Sequence, residues 1–554
     1  ISESFLLDLA DGPTANAVGE HMAKYFFNIQ EQSTLKKFFV PGRRDTMLAE
    51  EAYNKFLSVN EHMASFNDVS LEIEAVKDQS NVEFYSRVLR CARYIVHDIL
   101  SPCSLDEWFM HCRNSGGTSQ GVPFHNTGPE GKFTYPMSGS SRVKRLSELY
   151  LRFDIQLKRA LEAFNANHPG EVYTISDVSK ATTVPKNNRT DRMIAIEPTW
   201  NMFFQQGLMT AMYSRLAKFG LDVRRLPGKH RRLACESSIT GHLATIDFSS
   251  ASDCISPDLV KWLLPHEWYW RIDLVRLTDI ALNGQVVHLN MVSTMGNADT
   301  FPLETLVFYS LAAAVVSCQS WKQSWISSSL PLYDKIRDVS VFGDDTILPC
   351  SAAPAFLEIA KKVGLIINDE KSFYNEVGGF RESCGGDFYH GVYIRPLNIK
   401  DPTSERLSAL EPWLYIIYNG VLKKYMSYFG TLTYLYERRA LRLMERLFRQ
   451  YNLSLKVVPD TFPDDAGLKI GCDISRFREC YRHFRFSKVA VNEHGQYTFN
   501  YCRFVYWSQT HTAYDLRYAL WLKASNANLP QFDLGPELID LTRIRKRGGY
   551  VVAK

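Results

Sequence analysis

Apolar residues recur at helical spacing through the first 110 positions, as in EFYSRVLRCARYIVHDIL (83–100), and predict helices there. The period breaks at RNSGGTSQGVPFHNTGPEGKFTYPMSGSS (113–141), which is rich in Gly, Ser, Pro and Asn and reads as a long irregular loop. Loops of that length are usually functional or mobile. Helical spacing returns over SRVKRLSELYLRFDIQLKRALEAF (141–164). Between 181 and 300 short β-like runs alternate with turns and helices. From about 405 onward helices dominate again, as in YERRALRLMERLFRQY (436–451). The pattern predicts an α+β middle between mainly helical flanks. The longest apolar stretch, LVFYSLAAAVVSC (306–318), is too short to span a bilayer and predicts a buried core helix, with no membrane partner.

Composition narrows the class. The 554 residues suggest roughly three or four domain-sized units. With 45% hydrophobic and 22% charged residues the chain is globular, not disordered. A net charge of +4 is too small to establish a nucleic-acid partner, so the distribution of charge has to decide. The 11 cysteines include no CxxC pair, which favours reduced thiols and argues against a zinc cluster. The acidic start ISESFLLDLADGP lacks the basic region of a secretory signal, and the missing initiator Met hints at a trimmed beginning.

Two sites carry candidate chemistry. DVSVFGDDTILP (338–349) reads as a β-hairpin with Asp344 and Asp345 side by side at its tip. Asp suits turns on its own merits, so a lone GDD is either a solvated turn or a cation site. HLATIDFSSASDCIS (242–256) begins as a strand that ends at Asp247. A carboxylate at the end of a buried strand is costly unless something pairs with it. If that strand lies beside the hairpin, Asp247, Asp344 and Asp345 converge, and divalent cations would offset their repulsion. Oxygen-only ligands favour Mg²⁺ or Mn²⁺ over zinc. Two such ions suit in-line phosphoryl displacement. The bland alternative is two unrelated surface turns.

Neighbouring segments fit the same chemistry, each with an ordinary reading beside it. VPKNNRTDRMIAIEP (184–198) sets Lys186, Arg189 and Arg192 on an extended loop, able to clamp a triphosphate or simply solvated. In STMGNADTFPLETLVF (293–308), Ser293, Gly296 and Asn297 form a loop, and Pro302 fits the first turn of the helix that follows. Asn297 could read a sugar hydroxyl, or the segment is plain helix capping. Lys371 in GLIINDEKSF (364–373), entering another strand, could act as general acid toward a leaving pyrophosphate, or is a surface lysine. RRLPGKHRR (224–232) and RFRECYRHFRFSK (476–488) read as Arg/Lys combined with aromatics, as suits a phosphate backbone and stacked bases, and the tail RIRKR (543–547) does the same or is a disordered end.

The order of a Lys/Arg loop, a strand ending in Asp, an S-x-M-G-N loop-helix, a GDD hairpin and then Lys resembles motifs F, A, B, C and D of viral RNA-dependent RNA polymerases. TVPKNNRTDRMIAIEPTWNMFFQ (183–205), LATIDFSSASDCIS (243–256), STMGNADTFPLE (293–304), VFGDDTILP (341–349) and FRESCGGDFYHGVYIRP (380–396) are most similar to the replicase catalytic (β) subunits of positive-strand RNA bacteriophages of the Qβ group. HCRNSGG (111–117) looks similar too. The resemblance is strong from about 111 to 400 and weak outside that span.

This resemblance implies a right-hand fold of fingers, palm and thumb with an RRM-like antiparallel palm sheet. Residues 1–195 would form the N-terminal region and fingers, including the entry loop 183–195. Residues 196–400 would form the palm and 401–554 the thumb. It implies that Asp247, Asp344 and Asp345 bind two Mg²⁺ ions, with Mn²⁺ as a substitute. Lys186, Arg189 and Arg192 would contact the incoming NTP, Ser293, Gly296 and Asn297 would position template and ribose, and Lys371 would be the acid. Many RNA polymerases carry a second Asp five residues after the first; here that position is Ser252 and the carboxylate is Asp253, so either could sense the 2′-hydroxyl. Further implications are RNA template and product, primer-independent initiation, host elongation factors Tu and Ts, a host ribosomal small-subunit protein, and the cytoplasm of an infected bacterium. A reverse transcriptase shares the aspartates, but Phe342-Gly343 stands where Tyr-x-Asp-Asp is usual there. A non-catalytic RNA-binding or packaging protein is the other alternative.

Overall fold

The structure, a computed structural model, describes residues 46–66, 82–320 except short gaps at 124–126, 130, 134–135, 168–172 and 188–189, 338–395 except 375–376, and parts of 411–420, 446–470, 490–501 and 549–552. Arg189, most of 436–451, the basic stretch 476–488 and the tail 543–547 lie outside the described residues.

Among the described residues, helices α1 (Thr46–Ala64), α2 (Val82–Ile99) and α3 (Leu105–His111) come first, as their periodicity predicts. Ser104 caps α3, its hydroxyl accepting the Glu107 N–H at 3.0 Å. Strand β1 (Met137–Gly139) precedes α4 (Ser141–Phe153) and α5 (Ile155–Asn167), and pairs in parallel with β2 (Tyr173–Ile175). The predicted loop 113–141 therefore ends in a short buried strand, too brief to show a period.

The middle of the chain runs β3 (Ser179–Asn187), β4 (Thr190–Ile196), α6 (Thr199–Lys218), α7 (Leu226–Thr240), β5 (Leu243–Ile246), α8 (Pro257–Leu263), α9 (His266–Val275), β6 (Asp279–Leu282) and β7 (Gln285–His288). It continues through α10 (Thr300–Ser320), β8 (Ser340–Phe342), β9 (Asp345–Pro349), α11 (Ala353–Lys362), and the antiparallel strands β10 (Phe380–Ser383), β11 (Gly386–Tyr389) and β12 (Val392–Tyr393). One sheet has the order β5-β9-β8, another β4-β3-β6-β7. The fold is mixed helix and sheet.

Several expectations are corrected. The segment carrying Lys186 and Arg192 is not a loop but the β3–β4 hairpin, with Val184 opposite Arg192 and a register shift that accommodates Pro185. Lys371 ends a short 3-10 turn, Asp369–Lys371, instead of entering a strand. The expectation that helices dominate beyond 405 falls largely outside the described residues; among those described, β13 (Val457–Pro459) pairs with β14 (Leu468–Ile470), and β15 (Ala490–Val491), β16 (Tyr497–Tyr501) and β17 (Gly549–Val552) form a second sheet. Strands this short carry no readable alternation.

The principal core joins α2, α3, α6, α10, α11 and the β5-β9-β8 sheet. Gly207 lets α3 close on α6: a Cβ there would meet Cys112 Sγ at 2.6 Å and the Trp108 carbonyl oxygen at 2.9 Å. Helix α10 extends beyond its apolar stretch. Its 20-residue span Thr300–Gln319, mean hydropathy 1.6, is long and apolar enough to cross a bilayer, yet 89% of the most apolar window is buried inside the protein. Its apolar character is satisfied by the core. A smaller core, with Phe56 of α1 against Met193, Ala195, Ile280 and Met291, seats α1 on the second sheet.

Candidate active site

Strand β5 pairs antiparallel with β9, and β9 with β8, placing Ile246 opposite Thr346 and Phe342 opposite Asp345. Asp247 leaves β5 at the end where Asp345 opens β9. Gly343 and Asp344 form the tight loop between β8 and β9. The three aspartates thus share one end of one sheet. Gly343 is required there: its φ is +61°, and a Cβ would lie 2.5 Å from the Phe301 ring.

Each carboxylate has a defined setting. Asn368 Nδ2 donates to Asp247 Oδ2 at 2.7 Å, and Lys371 Nζ stands 3.9 Å from the same oxygen. The Asp247 N–H donates to Ser372 Oγ at 3.3 Å, and its carbonyl accepts the Asn368 N–H at 3.0 Å. Asp345 Oδ2 accepts the Cys384 N–H at 3.0 Å. Cys384 and Gly385 form the β10–β11 turn, both with positive φ (47° and 70°). Just past Asp247, Ser250 adopts φ 52°, a conformation costing about 1 kcal/mol for a non-glycine residue and often found at functional sites.

Burial, and then the charge of Asp247, raises the pKa of Asp344. Burial, and then Asp344, pushes Asp345 up to about 7. Glu304, buried in the first turns of α10, is raised well above the usual range by burial and by Asp344, Asp253 and Asp345. Such a concentration of buried negative charge is costly without cations. Lys371 keeps its ammonium despite partial burial, because Glu382, Asp247, Asp345 and Asp344 hold it. Lys186 is lowered by partial burial and by Arg192, Lys371 and Lys55, and it feels Asp247. Asp344 in turn feels Lys371 and Arg192. Cations therefore face the aspartates from the β3–β4 hairpin and from the 369–371 turn.

The loop 293–299 lies against Ala195 of β4. Asn297 Oδ1 accepts from the Thr294 N–H at 2.9 Å and from its hydroxyl at 3.0 Å, while the Asn297 amide also bonds Glu197. Glu197 is fully buried, and burial together with Asp299 pushes it up to about 8. Asp253 accepts from the Met295 backbone and is pushed to about 7 by burial; Ser252 Oγ approaches it at 3.5 Å. Ser293 Oγ is buried and has no hydrogen-bond partner among the described residues. Gly296 has φ +131°, and a Cβ would lie 2.2 Å from the Ala195 carbonyl oxygen. Gly296→Ala is therefore expected to destabilise the protein by about 1–3 kcal/mol and displace the loop, read by urea denaturation and by protease sensitivity at 293–299.

The donor set is all oxygen, which suits a hard divalent ion. Among the described residues, however, no three His, Cys, Asp or Glu side chains converge as ligands of one ion in this conformation. The carboxylates are near enough to repel one another.

Of the predicted residues, the structure gathers Asp247, Asp344, Asp345, Lys371, Lys186 and Arg192 in one neighbourhood, with Ser252, Asp253, Ser293, Gly296 and Asn297 beside it. Glu304, Asn368, Cys384, Glu197 and Lys55 escaped sequence reasoning. Only Glu304 left a signal, as the one charged residue in α10. Of the basic clusters, Arg224, Arg225, Arg231 and Arg232 are exposed at and before the start of α7.

The family description "RNA replicase, beta-chain" matches residues 19–553. The RNA-directed RNA polymerase subunit beta of Enterobacteria phage SP is 32% identical over 419 residues, covering 75% of this chain and 66% of that protein. The corresponding subunit of Escherichia virus Qbeta is 36% identical over 351 residues, covering 63% of this chain and 55% of that protein. The chain thus spans between about half and two thirds of the length of these relatives. A solved RNA-dependent RNA polymerase of a human picobirnavirus, an insertion-loop deletion mutant, aligns at 12% identity over 80% of this chain and 92% of its own, with a TM-score of 0.32, too slight a likeness to carry a fold.

Proposed function

This chain belongs to the RNA replicase β-chain family, and from that premise we propose that it synthesises RNA on an RNA template. The observation that carries the reading is the convergence of Asp247, Asp344 and Asp345 at one sheet end, faced by Lys186, Arg192 and Lys371. In the reaction the 3′-hydroxyl oxygen of the growing strand gives up its proton to solvent and attacks the α-phosphorus of an NTP. The bond from that phosphorus to the bridging oxygen breaks and pyrophosphate leaves. Asp247, Asp344 and Asp345 would hold two Mg²⁺ ions, or Mn²⁺ in their place, which when bound lower the pKa of the attacking hydroxyl and stabilise the leaving pyrophosphate. Lys186 and Arg192 orient the triphosphate, with Arg189 between them in sequence. Lys371, held as an ammonium, gives its proton to the pyrophosphate. Ser293, Gly296 and Asn297 position template and ribose, and Ser252 or Asp253 senses the 2′-hydroxyl.

The antiparallel β5-β9-β8 sheet backed by α10 and α11 supports a palm within 196–400, with fingers in 1–195 and a thumb in 401–554. The relatives' naming as β subunits supports a complex, whose further members would be host elongation factors Tu and Ts and a ribosomal small-subunit protein. Initiation would be primer-independent, in the cytoplasm of an infected bacterium.

The test is incorporation of labelled NTPs on an RNA template with Mg²⁺, with and without Tu and Ts, beside a dNTP control. NTP incorporation is the expected result, and a requirement for the host proteins would support the complex as well. Preference for dNTPs would point to a reverse transcriptase. RNA binding without turnover in every mixture would overturn the reading in favour of a binding protein.

A further inference from the structure

The loop that carries Asp344 is tied to α10 by a buried hydroxyl. The Gly343 N–H donates to Thr305 Oγ1 at 3.0 Å, and that hydroxyl donates to the Phe301 carbonyl at 2.8 Å. Thr305 is fully buried. One turn earlier, the Phe301 ring occupies the space over Gly343 and meets Phe342 edge-on, centroids 4.8 Å apart. At the head of α10, Thr300 Oγ1 donates to the Thr294 carbonyl at 3.0 Å, and Thr294 is the residue that holds Asn297. An unbroken series of contacts therefore runs from the 293–299 loop through the first turns of α10 to the aspartate turn.

We propose that Thr305 is a positioning residue, which sets Asp344 relative to the loop bearing Ser293 and Asn297. The inference rests on the polymerase reading of the same site. The Gly343 N–H is buried and Thr305 Oγ1 is the acceptor it meets, so removing that oxygen leaves a buried donor that rotation of the turn must satisfy. Asp344 is the next residue and moves with the turn. A displacement of about 1 Å at a reacting site costs on the order of 10²-fold in rate.

Thr305→Val keeps shape and volume but removes the acceptor; Thr305→Ser keeps the acceptor. Both are compared with wild type for kcat and KM of NTP incorporation, for RNA binding, and for Mn²⁺ binding followed by electron paramagnetic resonance. Thr305→Val is expected to lower kcat by about 10- to 100-fold with KM and RNA binding within about threefold, and to weaken Mn²⁺ binding. Thr305→Ser is expected to recover most of both. Wild-type behaviour of Thr305→Val, or equal damage in Thr305→Ser, overturns the proposal. If Thr305→Val does not fold, Thr305→Ala is scored in the same way, and its failure to fold as well would assign Thr305 to folding alone and overturn it. A wild type that incorporates nothing overturns the polymerase reading instead, and Mn²⁺ binding by the same variants then decides the role of Thr305.

Discussion

Asp344→Asn is expected to lower NTP incorporation by at least about 10²–10³-fold while leaving RNA binding and folding intact. Removing one carboxylate from a cation site forfeits several kcal/mol of transition-state stabilisation, and each 1.36 kcal/mol is tenfold in rate. The structure explains why folding should survive. Asp344 is destabilised where it stands, by burial and by Asp247, and it in turn raises Asp345 and Glu304. Asn has the same shape without the charge, so it relieves that repulsion. The expected pattern is a protein that melts at or above the wild-type temperature, binds RNA as before, and incorporates almost nothing. Incorporation within about threefold of wild type would remove Asp344 from the site. Loss of RNA binding together with activity would make the turn a structural element.

The second large effect is on stability against pH in a chelator. Burial raises Glu197 to about 8, and raises Asp253, Asp299 and Asp345 to about 7, with Glu304 higher than its ordinary range as well. In the unfolded chain these groups release their protons near pH 4. Between that value and the folded values, the folded state holds protons that the unfolded state has lost, so stability falls as pH rises. His230, lowered to about 3 by burial and Lys229, acts in the opposite sense below about pH 6.5, but by one proton only. Urea denaturation in EDTA is expected to show a loss on the order of several kcal/mol between pH 5.5 and pH 8.5. Mg²⁺ at pH 8.5 should restore the part due to the aspartates of the sheet end, whereas Glu197→Gln should restore a part that Mg²⁺ does not. A flat profile would mean that these carboxylates are ionised and paired in the folded protein.

Much of this site was readable from residue order. Asp247 follows a run of four residues that are all buried, and the GDD turn stands between two short apolar strands. Both are local patterns of period and punctuation. Pro302 likewise marked the start of α10, which begins at Thr300. Where the reading failed, pairing between segments decided, once between neighbours and once across the chain. The basic segment 184–192 read as a loop because Pro185 and the charges interrupt its alternation, yet pairing with 190–196 makes it a hairpin. Lys371 lies in a 3-10 turn because the flanking residues bridge back to Thr245 and Phe248 across more than a hundred positions.

Sequence alone determined the carriers of charge and the elements that hold them: a carboxylate at a strand end, two at a hairpin tip, a glycine where the turn must be tight, and an apolar helix between them. These follow from side-chain period and backbone conformational preference, which act over a few residues. Only the tertiary structure decided what each charge meets. It brought Asn368 to Asp247, Cys384 to Asp345, Thr305 to Gly343 and Glu304 within electrostatic reach of the aspartates. Those partners lie between 38 and 121 positions away where a hydrogen bond joins them, and packing of separate elements, not local preference, selects them.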